Sequence, residues 1–406
     1  MSSPPSQPRQ PLREQDVQGL KYFRKLWPLL ERLHEVGCQR DKAGNRQLFM
    51  DQYCGLVLLL MFNPCLRSLR ALQQAAELKN VQRRLGCGRA SLGSLSEATD
   101  VFDPERLREI IGELAAEVKP RQRTAGAHVE QLLTAVDGSV VQTLSTIAEA
   151  AYLKDVHGAS KSAWRLHTHF DVDRGVPRRI DVTSGKNSGK SDEKNVLRSH
   201  LEADHCYLMD RWYAQFTLFN EINAIGSSYV CRLRDNSRYE VQEERPLSDA
   251  AHGAGVLQDA VVTLGASGKA ATRPDHPIRL VLVACTPHQK TGSRAGPPSD
   301  GVLRIATNLL DPPAEIIADL YRHRWSIELF FRFFKHVLGC RHLLSTARAG
   351  IEIQTYCAII ACLLLALWTG GKPTLRTYEM VCLYLQGWAD EEELIAHLEK
   401  LKPQVA

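Results

Sequence analysis

Four polar residues punctuate the stretch Tyr321-Arg-His-Arg-Trp-Ser-Ile-Glu-Leu-Phe-Phe-Arg-Phe-Phe-Lys335. At about 100° per residue of helix, Arg324, Glu328 and Lys335 fall within roughly 60° of Tyr321, on a single stripe. Ile327, Leu329, Phe330, Phe333, Phe334 and Val337 point in several other directions, so much of the helix surface is expected to be buried. A charged stripe on such a helix has two readings. One is a salt-bridged face, with Arg324 and Glu328 as an i,i+4 pair contributing a few tenths of a kcal/mol. The other makes Glu328 a metal ligand, while Tyr321, Arg324 and Lys335 hold phosphates through hydrogen bonds and charge.

Two aspartates strengthen the second reading. Asp137 follows the apolar run Leu132-Leu-Thr-Ala-Val136 and precedes Gly138, and Asp210 follows Cys206-Tyr-Leu-Met209. A strand-end aspartate often caps a turn, but an acid at the end of a buried strand is costly unless paired or bound to a cation. Two strand-end aspartates and a helical glutamate suit a pair of Mg²⁺ ions, with Mn²⁺ as a substitute, because hard cations prefer carboxylate oxygens to His or Cys. Such a pair serves in-line displacement at a phosphodiester, so the expected reaction class is phosphoryl transfer. Asp171, Asp173 and Asp181 are rival carboxylates, the first two flanking a turn where acids are commonly solvated. His205 and His323, beside the candidate residues, read as structural, and the loop Gly185 to Lys194 lacks the full phosphate-loop pattern.

The spacing Tyr, two residues, Arg, three residues, Glu, six residues, Lys resembles the signature of the DDE transposases of bacterial insertion sequences, specifically the insertion sequence 4 group. Tyr321, Arg324, Glu328 and Lys335 match every interval. Asp137-Gly-Ser looks like that family's first aspartate motif, and Asp210-Arg-Trp-Tyr is similar to its second. The resemblance covers roughly residues 45 to 370. It implies a ribonuclease H-like core, cleavage at the ends of an element and joining of its 3' ends to target DNA. It further implies double-stranded DNA as partner and a homodimer assembled on it. By the same resemblance Asp137, Asp210 and Glu328 hold the metals, and Tyr321, Arg324 and Lys335 position DNA. Some relatives use a tryptophan of the insertion to stack a flipped base during a hairpin step. Residues 240 to 306 contain no Trp, Tyr or Phe, leaving Trp212 or Trp325 for that task. Two other readings share these residues: a nuclease that cuts without joining, and an inactive descendant that binds DNA.

The elements that must position these groups can be read around them. Leu, Ile and Val recur at helical spacing from about 17 to 120, with stops at Asn63-Pro64 and Gly86 to Gly88, and Pro104 opens the helix that begins at Glu105. Arg67, Arg70, Lys79, Arg83, Arg84 and Arg89 cluster there, as phosphate contacts or as a solvated face. Strand-like runs follow at 131–136, 163–170, 179–183, 206–209 and 228–234, with helices expected over 194–202 and 211–225. Three strands, a helix, a strand, a helix and a strand is the order of a ribonuclease H-like core. Pro312-Pro313 opens a long helical stretch through about Leu343, and two more helical segments follow, parted by Gly370-Gly371.

The expected fold is α/β, a ribonuclease H-like mixed sheet core with a β-rich insertion, preceded by an all-helical N-terminal domain. The divisions are a flexible leader over 1–16, a helical DNA-binding domain over 17–125, the core over 126–234 and 301–370, the insertion over 235–300, and a C-terminal helical segment over 371–406. The net charge of +5 equals the excess of 20 basic over 15 acidic residues in positions 1 to 130, the sign expected for a polyanion partner. Eleven cysteines without a C-x-x-C pair point to a reducing compartment. The Pro- and Ser-rich start lacks the apolar stretch of an export signal, so a cytoplasmic protein is expected. The apolar run Ala358 to Trp368 falls short of the roughly 20 residues of a membrane span and reads as a buried helix.

Overall fold

The computed structural model describes residues 21–400 apart from 38–39, 43, 45, 64–65, 67, 121–127, 144–150, 155–159, 186–187, 266–272, 287–299, 338–343, 346 and 371–373. The expected leader, the break at 121–126, and Arg67 therefore lie outside the described residues, as does the side chain of Arg84. The chain forms two compact units, Met1–Lys119 with Arg332–Ala406, and Pro120–Phe331.

The described elements of the first unit are helices. In its N-terminal part these are α1 (Lys21–Glu31), α2 (Leu33–Val36), α3 (Met50–Met61), α4 (Leu69–Ala76), α5 (Lys79–Leu85), α6 (Leu92–Val101) and α7 (Glu105–Glu117). Ser68 and Ser91 cap α4 and α6 by accepting from the N–H groups of Ala71 and Ser94, and Pro104 precedes α7. Of the basic cluster, Arg70, Lys79, Arg83 and Arg89 are exposed, and Arg89 pairs with Glu77 at 2.8 Å.

The second unit is built on a ten-stranded sheet. Its strands are β1 (Leu132–Thr143), β2 (Ala151–Lys154), β3 (Ser160–Asp171), β4 (Val176–Ser184), β5 (His205–Met209), β6 (Ser228–Arg232), β7 (Tyr239–Glu244), β8 (Val256–Leu264), β9 (Ile278–Ala284) and β10 (Val302–Thr307). The order is β2-β3-β1-β5-β6-β10-β9-β8-β7, with β4 also on β3. β5 runs parallel to β1 and to β6, whereas β1, β3 and β4 are antiparallel neighbours. The run β4-β3-β1-β5-β6 fits a ribonuclease H-like core. The short strands β2 and β7 were not apparent in the sequence. Strands β7, β8 and β9, from the stretch read as an insertion, form no separate layer: they extend the core's sheet through β10.

Two helices were overestimated. The expected helix over 194–202 is α8 (Glu193–Arg198), and that over 211–225 is α9 (Phe216–Ala224). Together they cover a cluster formed by Val136, Tyr207, Met209, Tyr229 and Cys231 from the sheet with Leu197, Leu218, Phe219 and Ile222. Near the far edge α10 (Asp249–Gly253) packs on β8, while α11 (Ala314–His323) lies against β5, β6, β8, β9 and β10. A buried pair, Asp259 on β8 and Arg279 on β9, fixes the approach to α11. Arg279 donates to both carboxylate oxygens at 2.8 and 2.7 Å and to the carbonyls of Leu309, Leu310 and Pro312.

The long helical stretch after Pro313 is two helices. α11 ends at His323 and α12 (Trp325–Val337) follows, beginning in the second unit and ending in the first. The remaining helices of the first unit are α13 (Arg348–Thr369), α14 (Leu375–Leu385) and α15 (Glu391–Lys400), one more than expected. α13 belongs to the first unit, although the sequence assigned 301–370 to the core. It is 22 residues long and apolar enough to cross a membrane, longer than the run read in the sequence, but it is buried against α1, α3, α6 and α7. Its apolar character is that of a core helix.

Candidate active site

Parallel pairing of β1 with β5 aligns Leu132 with His205 and Ala135 with Leu208. The same register, carried two residues further, sets Asp137 beside Asp210, on strands that neighbour one another at about 4.8 Å. Asp137 is inside its strand and not at the strand end: β1 continues to Thr143, paired with β3 as far as Thr143 opposite Ser162. Asp210 does follow the last residue of β5. Val136 faces the cluster under α8 and α9, so strand alternation turns Asp137 to the opposite face.

The two acids are held differently. Asp137 Oδ1 accepts from the Gly138 N–H at 2.8 Å. Burial pushes the Asp137 carboxyl up to about 7, with the negative charge of Asp210 adding to the shift and Arg324 and the Gly138 N–H opposing it. Asp210 heads a turn, its Oδ1 accepting from the Trp212 N–H at 2.8 Å and its carbonyl from the Tyr213 N–H at 3.2 Å.

Arg324 links these acids to the helices. It stands at the junction of α11 and α12, where its N–H bonds the Tyr321 carbonyl and the Ile327 N–H bonds its own carbonyl, each three residues back. This step is tighter than an α-helix and advances about 120° per residue. The polar stripe therefore spans two helices, and the uniform helical angle does not describe it. Arg324 Nη2 donates to Glu328 Oε1 at 2.6 Å, and the guanidinium carbon lies 5.8 Å from the centre of the Tyr321 ring. Arg324 also interacts electrostatically with Asp137, and its buried Nε has no hydrogen-bond partner among the described residues. The Tyr321 hydroxyl is pushed up by burial.

The salt-bridged face is thus present in Arg324 and Glu328. Among the described residues no three His, Cys, Asp or Glu side chains gather closely enough to hold a metal ion, so Glu328 does not join the two aspartates. Lys335 is half-buried in the last turn of α12, within the first unit.

The sequence does not single out Glu193 or Arg165, and it offers Tyr213 only within Asp210-Arg-Trp-Tyr. Asp192 caps α8 by accepting from the Lys194 N–H at 3.0 Å, which puts Glu193 in the first turn. Its buried carboxylate pairs with Arg165 of β3 and is hydrogen-bonded with Tyr213. Burial pushes this carboxyl up as well, against the pull of Arg165. The carboxylate fills the space above Gly138, where a Cβ would stand 2.6 Å from Glu193 Oε1. In the sequence the signals were Gly138 itself and Tyr213 after Asp210-Arg-Trp. Trp212 and Trp325 are exposed, and Lys194 Nζ sits 4.7 Å from the Trp212 ring centre.

The rival groups have local duties. Asp171 is fully buried, not solvated, and takes the Arg174 N–H and guanidinium, both at 2.9 Å, across the β3–β4 turn. Asp181 is held by Arg179 at 2.7 Å, His205 bonds Thr134 at 2.8 Å, and His323 pairs with Asp319 at 3.5 Å.

The chain is similar in sequence to known proteins. The family model described as Transposase DDE domain matches residues 129–364. A Sinorhizobium fredii protein named as the transposase y4zB is 26% identical over 246 residues, 59% of this chain and 63% of that one. A Geobacillus stearothermophilus protein, named as a transposase for insertion sequence element IS5377, is 26% identical over 52% of this chain and 50% of its own length. A Synechocystis sp. protein, named as a transposase for insertion sequence element IS4SA, is 35% identical over 321 residues, 75% of this chain and 80% of that one. The chain accordingly spans 63% and 50% of the first two relatives' lengths.

Proposed function

Since the chain belongs to the family of the Transposase DDE domain, we propose that it is a DNA transposase that cleaves the ends of an insertion sequence and transfers the 3' ends into target DNA. Within that family it is assigned to the insertion sequence 4 group, by the Tyr321, Arg324, Glu328 and Lys335 spacing. The observation that carries the reading is the register of β1 and β5, which sets Asp137 beside Asp210.

Asp137 and Asp210 fit a divalent cation. Burial and a neighbouring negative charge raise Asp137, and a divalent cation held by Asp137 and Asp210 would relieve both penalties. Asp137, Asp210 and Glu328 would hold two Mg²⁺ ions, or Mn²⁺ in their place, which when bound activate the attacking oxygen and stabilise the leaving oxygen. To take that role Glu328 would have to give up its bond to Arg324. The released guanidinium, with its unpartnered Nε, then has donors for a phosphate of the DNA. Tyr321 orients Arg324 through its ring, and Lys335 adds a second positive charge on the DNA backbone. The partners are double-stranded element ends and target DNA, bound by a homodimer, with the helical N-terminal region contributing to the grip.

A strand-transfer assay with the element's own ends and Mg²⁺ tests this function. Joined product is expected. Nicks without joining would instead make the protein a nuclease, and binding without cleavage an inactive DNA-binding descendant.

A further inference from the structure

Glu193 interacts electrostatically with Asp137 and Asp210 from the α8 side of the sheet yet takes no part in the proposed chemistry. It is buried at 6% exposure, and three separate elements converge on it. Arg165 of β3 pairs with it, Tyr213 from the turn after β5 is hydrogen-bonded with it, and Gly138 of β1 leaves room for its carboxylate. Tyr213 in turn donates its N–H to the Asp210 carbonyl at 3.2 Å, and Gly138 donates its N–H to Asp137 at 2.8 Å. One bond therefore separates the Glu193 contacts from each aspartate. A buried ion pair seldom stabilises a protein more than apolar side chains of the same volume would, so stability alone does not account for it.

We propose that Glu193 is a positioning residue: held by Arg165, it braces Gly138 and Tyr213 and so keeps Asp137 and Asp210 in the placement with which they would hold a divalent cation. This rests on the metal-holding role given above to the two aspartates. Outer partners of metal ligands act in this way, and their loss weakens metal binding by about 10- to 100-fold.

The test is Mn²⁺ binding by the full chain without DNA, followed through the electron paramagnetic resonance signal of the free ion, alongside thermal unfolding. Removing both charges together, as Arg165→Met with Glu193→Met, leaves no buried charge unpaired and is expected to keep the melting temperature close to that of the parent. The same double variant is expected to raise the Mn²⁺ Kd by about 10- to 100-fold. Tyr213→Phe and Gly138→Ala, which disturb the brace from its other two sides, are expected to weaken binding in the same direction, and they carry the test if the double variant does not fold. Parent-like Mn²⁺ affinity in the folded double variant, or in both single variants, would overturn the positioning role alone. Asp137→Asn separates the two readings: if it binds as the parent does, or if the parent binds no Mn²⁺, the aspartates' own role falls and that of Glu193 with it.

Discussion

The register that pairs Ala135 of β1 with Leu208 of β5, carried two residues further, brings Asp137 level with Asp210, just past the end of β5. Burial makes ionisation of Asp137 costly and the negative charge of Asp210 adds to that cost, together lifting the Asp137 carboxyl to about 7.

Stability should therefore fall with rising pH in metal-free buffer. A carboxyl whose folded pKa is raised binds more protons folded than unfolded, so between the ordinary carboxylate range and about 7 each step up in pH disfavours the folded state. Asp137→Asn removes the titration. Its melting temperature should match the parent's near pH 4 and exceed it at pH 8, by on the order of 2–4 °C for each kcal/mol relieved. Parallel melting curves for both proteins across that range would contradict the assignment.

Glu328→Gln keeps the size of the side chain and a bond to Arg324 but removes the charge. DNA binding in a gel-shift assay should persist, while end cleavage should drop by more than the roughly 100-fold that losing a supporting partner costs. Full cleavage would show that Glu328 holds no metal.

Lys335→Ala should weaken binding to element ends and to unrelated duplex alike. The dependence of log K on log salt should flatten by about one unit, as expected when one phosphate contact is lost. An unchanged salt slope would remove Lys335 from the DNA-contacting set.

Asp259→Ala strands Arg279, at 1% exposure, without its carboxylate. Urea unfolding should show a loss of about 3–5 kcal/mol, the usual cost of breaking a buried pair. Arg279 also holds the carbonyls of Leu309, Leu310 and Pro312, so amide exchange just before α11 should quicken in the same variant.

What was legible in the sequence followed periodicity and punctuation. β-rich runs at 163–170 and 179–183 marked parts of β3 and β4, Pro104 and Pro313 marked helix starts, and the stripe from Tyr321 to Lys335 stood out because local spacing fixes which residues meet. Strand β1 was seen only to Val136, because Asp137 and Gly138 look like a terminus when the partner β3 is unknown. The tight step at Arg324 left no mark in composition, so the sequence read one helix where there are two. Glu193 was hidden for a similar reason: its partners Gly138, Arg165 and Tyr213 come from three elements far apart in the chain, and no local pattern joins them.

The alignment of the two aspartates also governs which insertions and deletions the gene tolerates. Strand register, and not the count of residues between them, keeps Asp137 level with Asp210, so the intervening connections are free to lengthen or shorten. A single residue gained or lost inside β1 ahead of Asp137 is different in kind. It would turn that carboxylate through the sheet and carry a neighbouring apolar residue into its place. Length variation among descendants of this gene should accordingly gather in the connections between strands and spare the few residues before each acid.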